Sequence, residues 1–456
     1  MFGDTIAAIS TAWGDAGISI IRISGPDCQD IARATVRTVT PFDQLRPRFM
    51  NNGILLDESG TPIDEVLLVL FVSPKSFTGE DLVEIHCHGG SLVAQRCLER
   101  CIQGGCRHAA PGEFTRRAYE NGRLDLAQAE AVNGIIQARS NEALRAASRT
   151  LQGELSQRIR ELYDELLLLS AELEVGIDFP EEDIPYIAEE DAASRIETLI
   201  QDLRDLLDRC TTGCLLREGI KVALIGRPNV GKSSLLNALL QESRAIVTSV
   251  PGTTRDVIEE VITHRGIPLR LMDTAGLRES PSDEVEAIGI QRTSKAIEKS
   301  DVVLWILDGS KPLEGIDRSM IASLSDRPHL VAINKSDLPN SLDETALTAL
   351  APDSWVFRIS AQERHGLDEI KEAIVDLAAK IGTLDASLNV TSRQVGEIRA
   401  AIQALAEGRD VISTMGDQSL AAQALTEARS CLERILGLQD DEALLDVVFS
   451  QFCVGK

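Results

Sequence analysis

The stretch GRPNVGKSS at 226–234 sets Gly226, Gly231, Lys232 and Ser233 at the spacing G-x-x-x-x-G-K-[ST]. Glycines at those places let backbone N–H groups close around phosphate oxygens, and a following helix adds the partial positive charge of its N-terminus. Lys232 then reaches the β and γ phosphates, and the Ser233 hydroxyl is the expected ligand of Mg2+. A chance Gly-rich turn is the competing reading of this stretch taken alone. The apolar run IKVALIG before it has strand length, and SSLLNALL after it has helical character. That strand–loop–helix order is the context the chemistry requires.

Four further elements follow in the order expected of a GTPase domain. PGTTRD at 251–256 offers Thr254 to close on Mg2+ and the γ-phosphate, and DTAG at 273–276 places Asp273 to hold Mg2+ through water. NKSD at 334–337 ends an apolar strand; the Asp337 carboxylate can accept two hydrogen bonds from guanine N1–H and its exocyclic amine. Adenine has neither donor there and would leave the carboxylate unmatched. SAQ at 360–362 supplies Ser360, Ala361 and Gln362 for the guanine carbonyl. The expected GTP contacts therefore run through Asn229, Val230, Gly231, Lys232, Ser233 and Ser234 of the loop. They continue through Thr248, Ser249, Val250, Pro251, Gly252, Thr253 and Thr254, then Asp273, Thr274, Ala275 and Gly276. Asn334, Lys335, Asp337, Ser360, Ala361 and Gln362 complete them.

Hydrolysis needs another explanation, because Ras-like proteins orient the attacking water with a glutamine where this chain has Leu277. Arg255 and Arg278 lie nearby, but neither is fixed in a motif as an arginine finger. The side-chain carbonyl of Asn229 can ligate a monovalent cation where an arginine would reach, with carbonyls of TSVPGTT (248–254) completing the shell. Glu286 is the candidate for orienting water. The competing reading makes Asn229 a loop cap and Glu286 a solvated helix charge.

These motifs need elements to hold them. A chain of 456 residues exceeds one hydrophobic core and suggests two to four domains. Its 43% hydrophobic and 26% charged residues describe an ordinary globular protein, and a net charge of −25 excludes general adhesion to nucleic acid or anionic membrane. The longest apolar runs, such as EVLLVLFV at 65–72, are far shorter than a membrane span. MFGDTIAAIS has neither a secretory nor an organelle-transit pattern, so a cytoplasmic protein is expected, without membrane association. Cys97, Cys101 and Cys106, and the triplet His86-Cys87-His88, match no common zinc spacing. Buried thiols and a polar turn are expected there.

Residues 1–118 mix short β-rich runs with helical stretches and predict a small α/β domain. From about 124 the period changes. Leu151, Leu155, Ile159, Leu162, Leu166, Leu169 and Leu173 recur at spacings of three and four, on one helix face. GIDFPEEDIP then predicts an exposed turn. Val395, Ile398, Ile402 and Leu405 share a face beyond the nucleotide motifs. Helical segments at 119–215 and 381–456 thus flank a nucleotide domain at 216–380, which predicts a GTPase domain with a mostly parallel sheet inserted into a helical one.

The chain resembles, over essentially its whole length, the tRNA-modification GTPase MnmE (TrmE) family. The resemblance is carried by IIRISGP, FTGEDLVEIHCHGG, PGEFTRRAYENGRLDLAQAEAV, GRPNVGKSSLLNALL, PGTTRDVIEE, DTAGLRE and the terminal FCVGK. It implies an N-terminal domain that binds formyl- or methylene-tetrahydrofolate and forms a homodimer. It also implies potassium-stimulated GTP hydrolysis coupled to pairing of the GTPase domains. With the FAD protein MnmG, in a heterotetramer that engages tRNA, the family builds the carboxymethylaminomethyl or aminomethyl group at C5 of the wobble uridine. Folate contacts are implied for Arg22, Glu80, Arg123 and Lys456, the potassium site for Asn229, Thr248, Val250 and Thr253, and the water-orienting acid for Glu286 with Glu284 close by. Without the resemblance, Arg22 reads as an exposed strand residue and Arg123 as a surface cation. Cys453 matches the family's near-terminal cysteine; one-carbon chemistry and a buried thiol anchoring the tail both remain open for it. A regulatory switch or ribosome-assembly GTPase would share the nucleotide motifs, but has no need of the FTGED…HCHGG block or the FCVGK tail.

Overall fold

The computed structural model describes residues 3–138, 140–178, 188–243, 259–265, 267–273, 296–298, 300–322, 324, 327–352, 354–379, 388, 390–439 and 441–456. The chain forms two compact units, one of residues 1–136, 150–193 and 403–456, the other of residues 137–149 and 194–402.

In the first unit, strands β1 (Ile6–Ile9), β2 (Ile18–Ser24), β3 (Val36–Thr38), β4 (Asn51–Leu56), β5 (Pro62–Phe71), β6 (Leu82–His88) and β7 (Arg107–His108) form one sheet. Their order is β3-β4-β5-β6-β2-β1-β7, with only the β1–β7 pair parallel. Side chains alternate between faces along each strand. Ile21, Ile23, Val83, Ile85 and Cys87 therefore point to one face, under the helices Cys28–Thr35 and Ser91–Gln103. Cys97, Cys101 and Cys106 are buried in that same core as free thiols, as the spacing predicts, and Cys28 is buried with them. The His86-Cys87-His88 triplet is not a turn: it completes β6, where alternation sends Cys87 inward and the histidines to the other face. That other face carries Ile20, Arg22, Glu84 and His86, because Arg22 pairs in register with Glu84 and Ile20 with His86.

The helical part of this unit follows the leucine pattern. On the helix Glu154–Asp178, Leu155, Ile159, Leu162, Leu166, Leu169 and Leu173 are all buried, and this helix packs along Gln418–Leu436. Leu151 falls one turn earlier, at the end of the helix Asn141–Leu151. Asp417 caps Gln418–Leu436, its carboxylate accepting from the Ser419 and Leu420 N–H groups, as orphan N–H donors of a first turn require. Gly437 closes that helix at φ 72°, a left-handed conformation that favours glycine. There, Tyr119 Oη donates to its carbonyl. Most of the predicted GIDFPEEDIP turn lies outside the described residues.

The second unit holds β8 (Ile220–Ile225), β9 (Glu259–His264), β10 (Ile267–Asp273), β11 (Val302–Asp308), β12 (His329–Asn334) and β13 (Trp355–Arg358). They are ordered β13-β12-β11-β8-β10-β9, all parallel except β9. β11 reads VVLWILD and is buried at every position, as a central strand covered on both faces must be. This is an inserted Ras-like domain with a mostly parallel sheet. No helix among the described residues is long and apolar enough to cross a membrane.

Leu166→Ala removes a fully buried side chain from the helix Glu154–Asp178 and should cost about 3 kcal/mol. Urea unfolding of the full chain, followed by a probe in the first unit, should show a lower midpoint with an unchanged slope.

Candidate functional site

The three parallel strands β8, β11 and β12 end at one edge of the second unit's sheet, where α/β folds bind ligands. The loop after β8 is the phosphate-loop candidate. Gly226 has φ 150°, and a Cβ there would stand 2.4 Å from the Ile306 carbonyl oxygen. Gly231 has φ 98°, and its Cβ would meet Asn334 Nδ2 at 2.3 Å. Both positions thus demand glycine on steric grounds. Asn229 also has positive φ, at 63°. Lys232 opens the helix Lys232–Ser243 and donates to the carbonyls of Gly226 and Arg227 at 2.8 Å each, which closes the loop on itself. Val230 is buried under the loop, while Ser233 and Ser234 are exposed on the helix's first turn.

Asn334 joins this loop to the base-reading motifs. Its Nδ2 donates to the Val230 carbonyl at 2.9 Å, and its Oδ1 accepts from Ala361 N–H at 3.0 Å. Lys335 lies across the loop, its ammonium 3.1 Å from the Asn229 carbonyl and 2.6 Å from Asp308 Oδ2. Ser360 Oγ donates to Asp337 Oδ1 at 2.5 Å, orienting that carboxylate, and accepts from Glu363 N–H. Gln362 sits exposed in the adjoining turn. Asp308 went unread in the sequence, where it was only the last residue of an apolar strand. Burial raises its pKa, but the Lys335 ammonium and the Ser310 hydroxyl and N–H outweigh that and hold it below the usual aspartate value. Arg227 was missed as well. It pairs with Glu314 and with the fully buried Asp317, tethering the loop to the helix Gly315–Ala322.

Asp273 ends β10 in register with Leu224. Thr248, Ser249, Val250, Pro251, Gly252, Thr253 and Thr254, with Thr274, Ala275, Gly276 and Glu286, lie outside the described residues. So do Arg255, Leu277, Arg278 and Glu284. Among the described residues, no cluster of three or more His, Cys, Asp or Glu forms a metal cage.

The first unit holds a cavity of about 260 Å3, lined by Arg48, Phe71, Lys75, Phe77, Leu82, Glu84 and Arg123 among others. The sheet face described above supplies its floor. Arg22 meets Glu84 Oε1 through Nε at 3.1 Å and Nη2 at 2.8 Å, and His86 Nε2 stands 3.3 Å from Glu84 Oε2. Burial raises the Glu84 pKa; His86 and Arg22 more than reverse this, so the group stays below the ordinary glutamate value of 4.5. Two guanidiniums flank one ring: Arg22 lies 5.0 Å and Arg123 5.4 Å from the Phe77 centroid. Arg123 also donates to the Phe77 carbonyl at 2.5 Å.

The chain's last residues pack against β1 of the same unit. Val454 bridges Pro111, Ser10 Oγ donates to the Gly455 carbonyl at 3.0 Å, and a Cβ on Gly455 would stand 2.3 Å from the Ile9 oxygen. The tail therefore lies flat against β1 and delivers Lys456. Burial and the Arg22 charge lower the lysine's pKa, with Glu84 and Cys453 opposing. The Cys453 thiol is exposed, which overturns the buried-anchor reading; backbone contacts, not sulfur, fix the tail. Arg22 is likewise no exposed strand residue, since only 14% of its side chain is accessible.

Of the residues implied for folate, Arg123 lines the cavity, Arg22 binds the lining Glu84, and Lys456 feels the charges of Arg22 and Glu84. Glu80 faces elsewhere: its Oε2 accepts from Ser24 Oγ at 2.9 Å and pairs at 3.2 Å with Arg117, which is fully buried. Arg117 also binds Asp4 and Glu113. The acid lining the cavity is Glu84, which the sequence reading passed over because its partners are 62 residues upstream and two residues downstream. Strand alternation was the signal that could have found it.

Residues 126–453 match the family model described as the MnmE helical domain, and residues 5–123 match the one described as the GTP-binding protein TrmE N-terminus. The tRNA modification GTPase MnmE of Heliobacterium modesticaldum is 43% identical over 474 residues, covering 100% of both chains. That of Geobacter sulfurreducens is 42% identical over 463 residues, covering 99% of each. That of Desulforamulus reducens is 40% identical over 462 residues, covering 100% of both. Matched from end to end at this identity, the chain belongs to the MnmE family of tRNA modification GTPases.

Proposed function

We propose that the second unit binds GTP between Lys232 at the phosphate end and Asp337 at the guanine end, and hydrolyses it in the service of tRNA modification. The observation that carries this is the Asn334 side chain, which hydrogen-bonds the phosphate loop at Val230 and the base-reading turn at Ala361. A nucleotide lying along that line has its triphosphate on the loop N–H groups and its base against Asp337. Ser360 holds one carboxylate oxygen, which fixes the plane in which Asp337 accepts from guanine. The steric demand for glycine at 226 and 231 is what a cradle for phosphate oxygens requires. Ser233 and Thr254 are the proposed ligands of Mg2+, and Asn229, Thr248, Val250 and Thr253 those of K+. When bound, these ions supply positive charge to the phosphates that no arginine of the motifs provides. Glu286 is the proposed residue for holding the attacking water.

The pocket in the first unit is the proposed site of a one-carbon tetrahydrofolate. Glu84 and His86 present acceptor and donor groups to a pterin ring. Phe77 offers an aromatic face between two guanidiniums, and Arg123 and Lys456 offer charge to carboxylates. On this reading the protein works as a homodimer. With the FAD-dependent partner MnmG, it forms the carboxymethylaminomethyl or aminomethyl group at C5 of the wobble uridine of certain tRNAs, and hydrolysis is coupled to pairing of the GTPase domains. A regulatory switch or ribosome-assembly GTPase would leave this pocket and the docked tail without use.

Asp337→Asn exchanges an acceptor for an amide. It should weaken GTP binding by about 100-fold while favouring xanthosine triphosphate, which presents a carbonyl where guanine has its amine. Equilibrium titration with both nucleotides checks this. Turnover in potassium buffer should exceed that in sodium buffer by about tenfold or more, and equal rates would remove the cation from the account. Glu84, with its folded pKa depressed, stabilises the first unit above pH 4.5 and loses that contribution as pH falls through its folded value. Stability should therefore be level on its account from pH 8 to 5, and Glu84→Gln should flatten part of the acid limb of the unfolding profile.

A further inference from the structure

The pocket of the first unit carries more unneutralised charge than a ligand with a single acidic end requires. Its lining acid, Glu84, is already engaged by Arg22 and His86. Arg48 and Arg123 donate to the Lys75 and Phe77 carbonyls and have no carboxylate within ion-pair distance among the described residues. Neither has the Lys75 ammonium. The like charges feel one another: after burial, the nearby Arg22 and Arg48 lower the Arg123 pKa. In a chain with 71 acidic residues against 46 basic ones, such a run of unpaired cations is not background.

Arg48 is held in place at a conformational cost. Its φ of 67° lies in the left-handed region, unusual for a residue with a side chain, and Arg48 N–H donates to the Leu70 carbonyl at 2.8 Å. Nη2 donates to the Lys75 carbonyl at 2.7 Å, and both residues are exposed and line the cavity. The cavity itself, about 260 Å3, is at or below the roughly 300 Å3 lower limit of pockets that enclose a drug-sized ligand. On the folate reading, a cavity of this size takes the ring end of the ligand and leaves its glutamate end towards the exposed Arg48 and Lys75.

We propose that Arg48 and Lys75 form a subsite for a γ-linked oligoglutamate chain, so that the protein's folate is the polyglutamylated form. This rests on the folate reading of the pocket. Arg48 and Lys75 line one small cavity together with Phe71 and Phe77, which favours an acidic chain carried by a ligand seated there over a nucleic-acid backbone. Each glutamate pairs with an exposed cation, so the gain per residue is modest and sensitive to salt.

The test is calorimetric titration of the full-length protein with 5-formyltetrahydrofolate carrying one or five glutamates, at low and high salt. The pentaglutamate should bind about tenfold more tightly at low salt. That advantage should vanish at high salt, and in Lys75→Gln and the double variant Arg48→Gln/Lys75→Gln the pentaglutamate should lose about tenfold more affinity than the monoglutamate does. Equal affinity of wild type for both forms would overturn the subsite and leave the folate reading standing. Binding of neither form would overturn both. Displacement of the pentaglutamate by an oligoribonucleotide at similar concentration would assign these cations to RNA instead.

Discussion

Two hydrogen bonds from one carboxamide hold the nucleotide-site half of this molecule together. Asn334 donates to the Val230 carbonyl and accepts from Ala361 N–H, so a side chain at the end of β12 spans the phosphate loop and the turn after β13. Both of its polar ends are satisfied at 2% exposure, where an unmade bond costs about 1–3 kcal/mol. The absence of a side chain at Gly231 stems from the same contact, since a Cβ there would displace the amide. Lys335 and Asp308 add a second strap beside it, and Arg227 with Asp317 a third. The loop proposed for phosphate and the turn proposed for guanine are thereby tied together, from segments more than a hundred residues apart.

The first unit solves a different problem with strand alternation. One face of its sheet buries aliphatic side chains and thiols under two helices; the other carries Arg22 and His86 bound to Glu84, which lines a pocket. A charged face of this kind is tolerable because Arg22, donating twice to one Glu84 oxygen, neutralises its centre, while Arg48, Lys75 and Arg123 are exposed. The docked tail brings Lys456 within reach of the charges of Arg22 and Glu84.

The loop at 226–232 and the turn at 360–362 could be placed at one sheet edge in advance because their signals are local: glycines, a lysine and an aspartate at fixed offsets within short motifs. The leucine period likewise announced the buried face of the helix Glu154–Asp178. What escaped the reading depends on pairings between distant segments. Asp308 matters only because β11 and β12 lie in register with Asn334 beside it. Glu84 faces the pocket through its cross-strand partner Arg22, whereas Glu80, nearby in sequence, turns to Ser24 and Arg117. His86-Cys87-His88 resembled a polar turn because two polar residues flank one thiol, yet period-two alternation fits it to a strand with one face in the core. The Cys453 thiol suggested an anchor, and the anchoring is done by the Gly455 backbone.

The account stands on the Asn334 clasp. Calorimetric titration of full-length Asn334→Ala with GTP tests it most directly, alongside circular dichroism to show that the domain remains folded. Loss of two buried hydrogen bonds should weaken GTP binding by about 100-fold, with hydrogen exchange rising in the phosphate loop around Val230. An affinity within about twofold of wild type in a folded protein would contradict the claim that this residue unites the two halves of the nucleotide site.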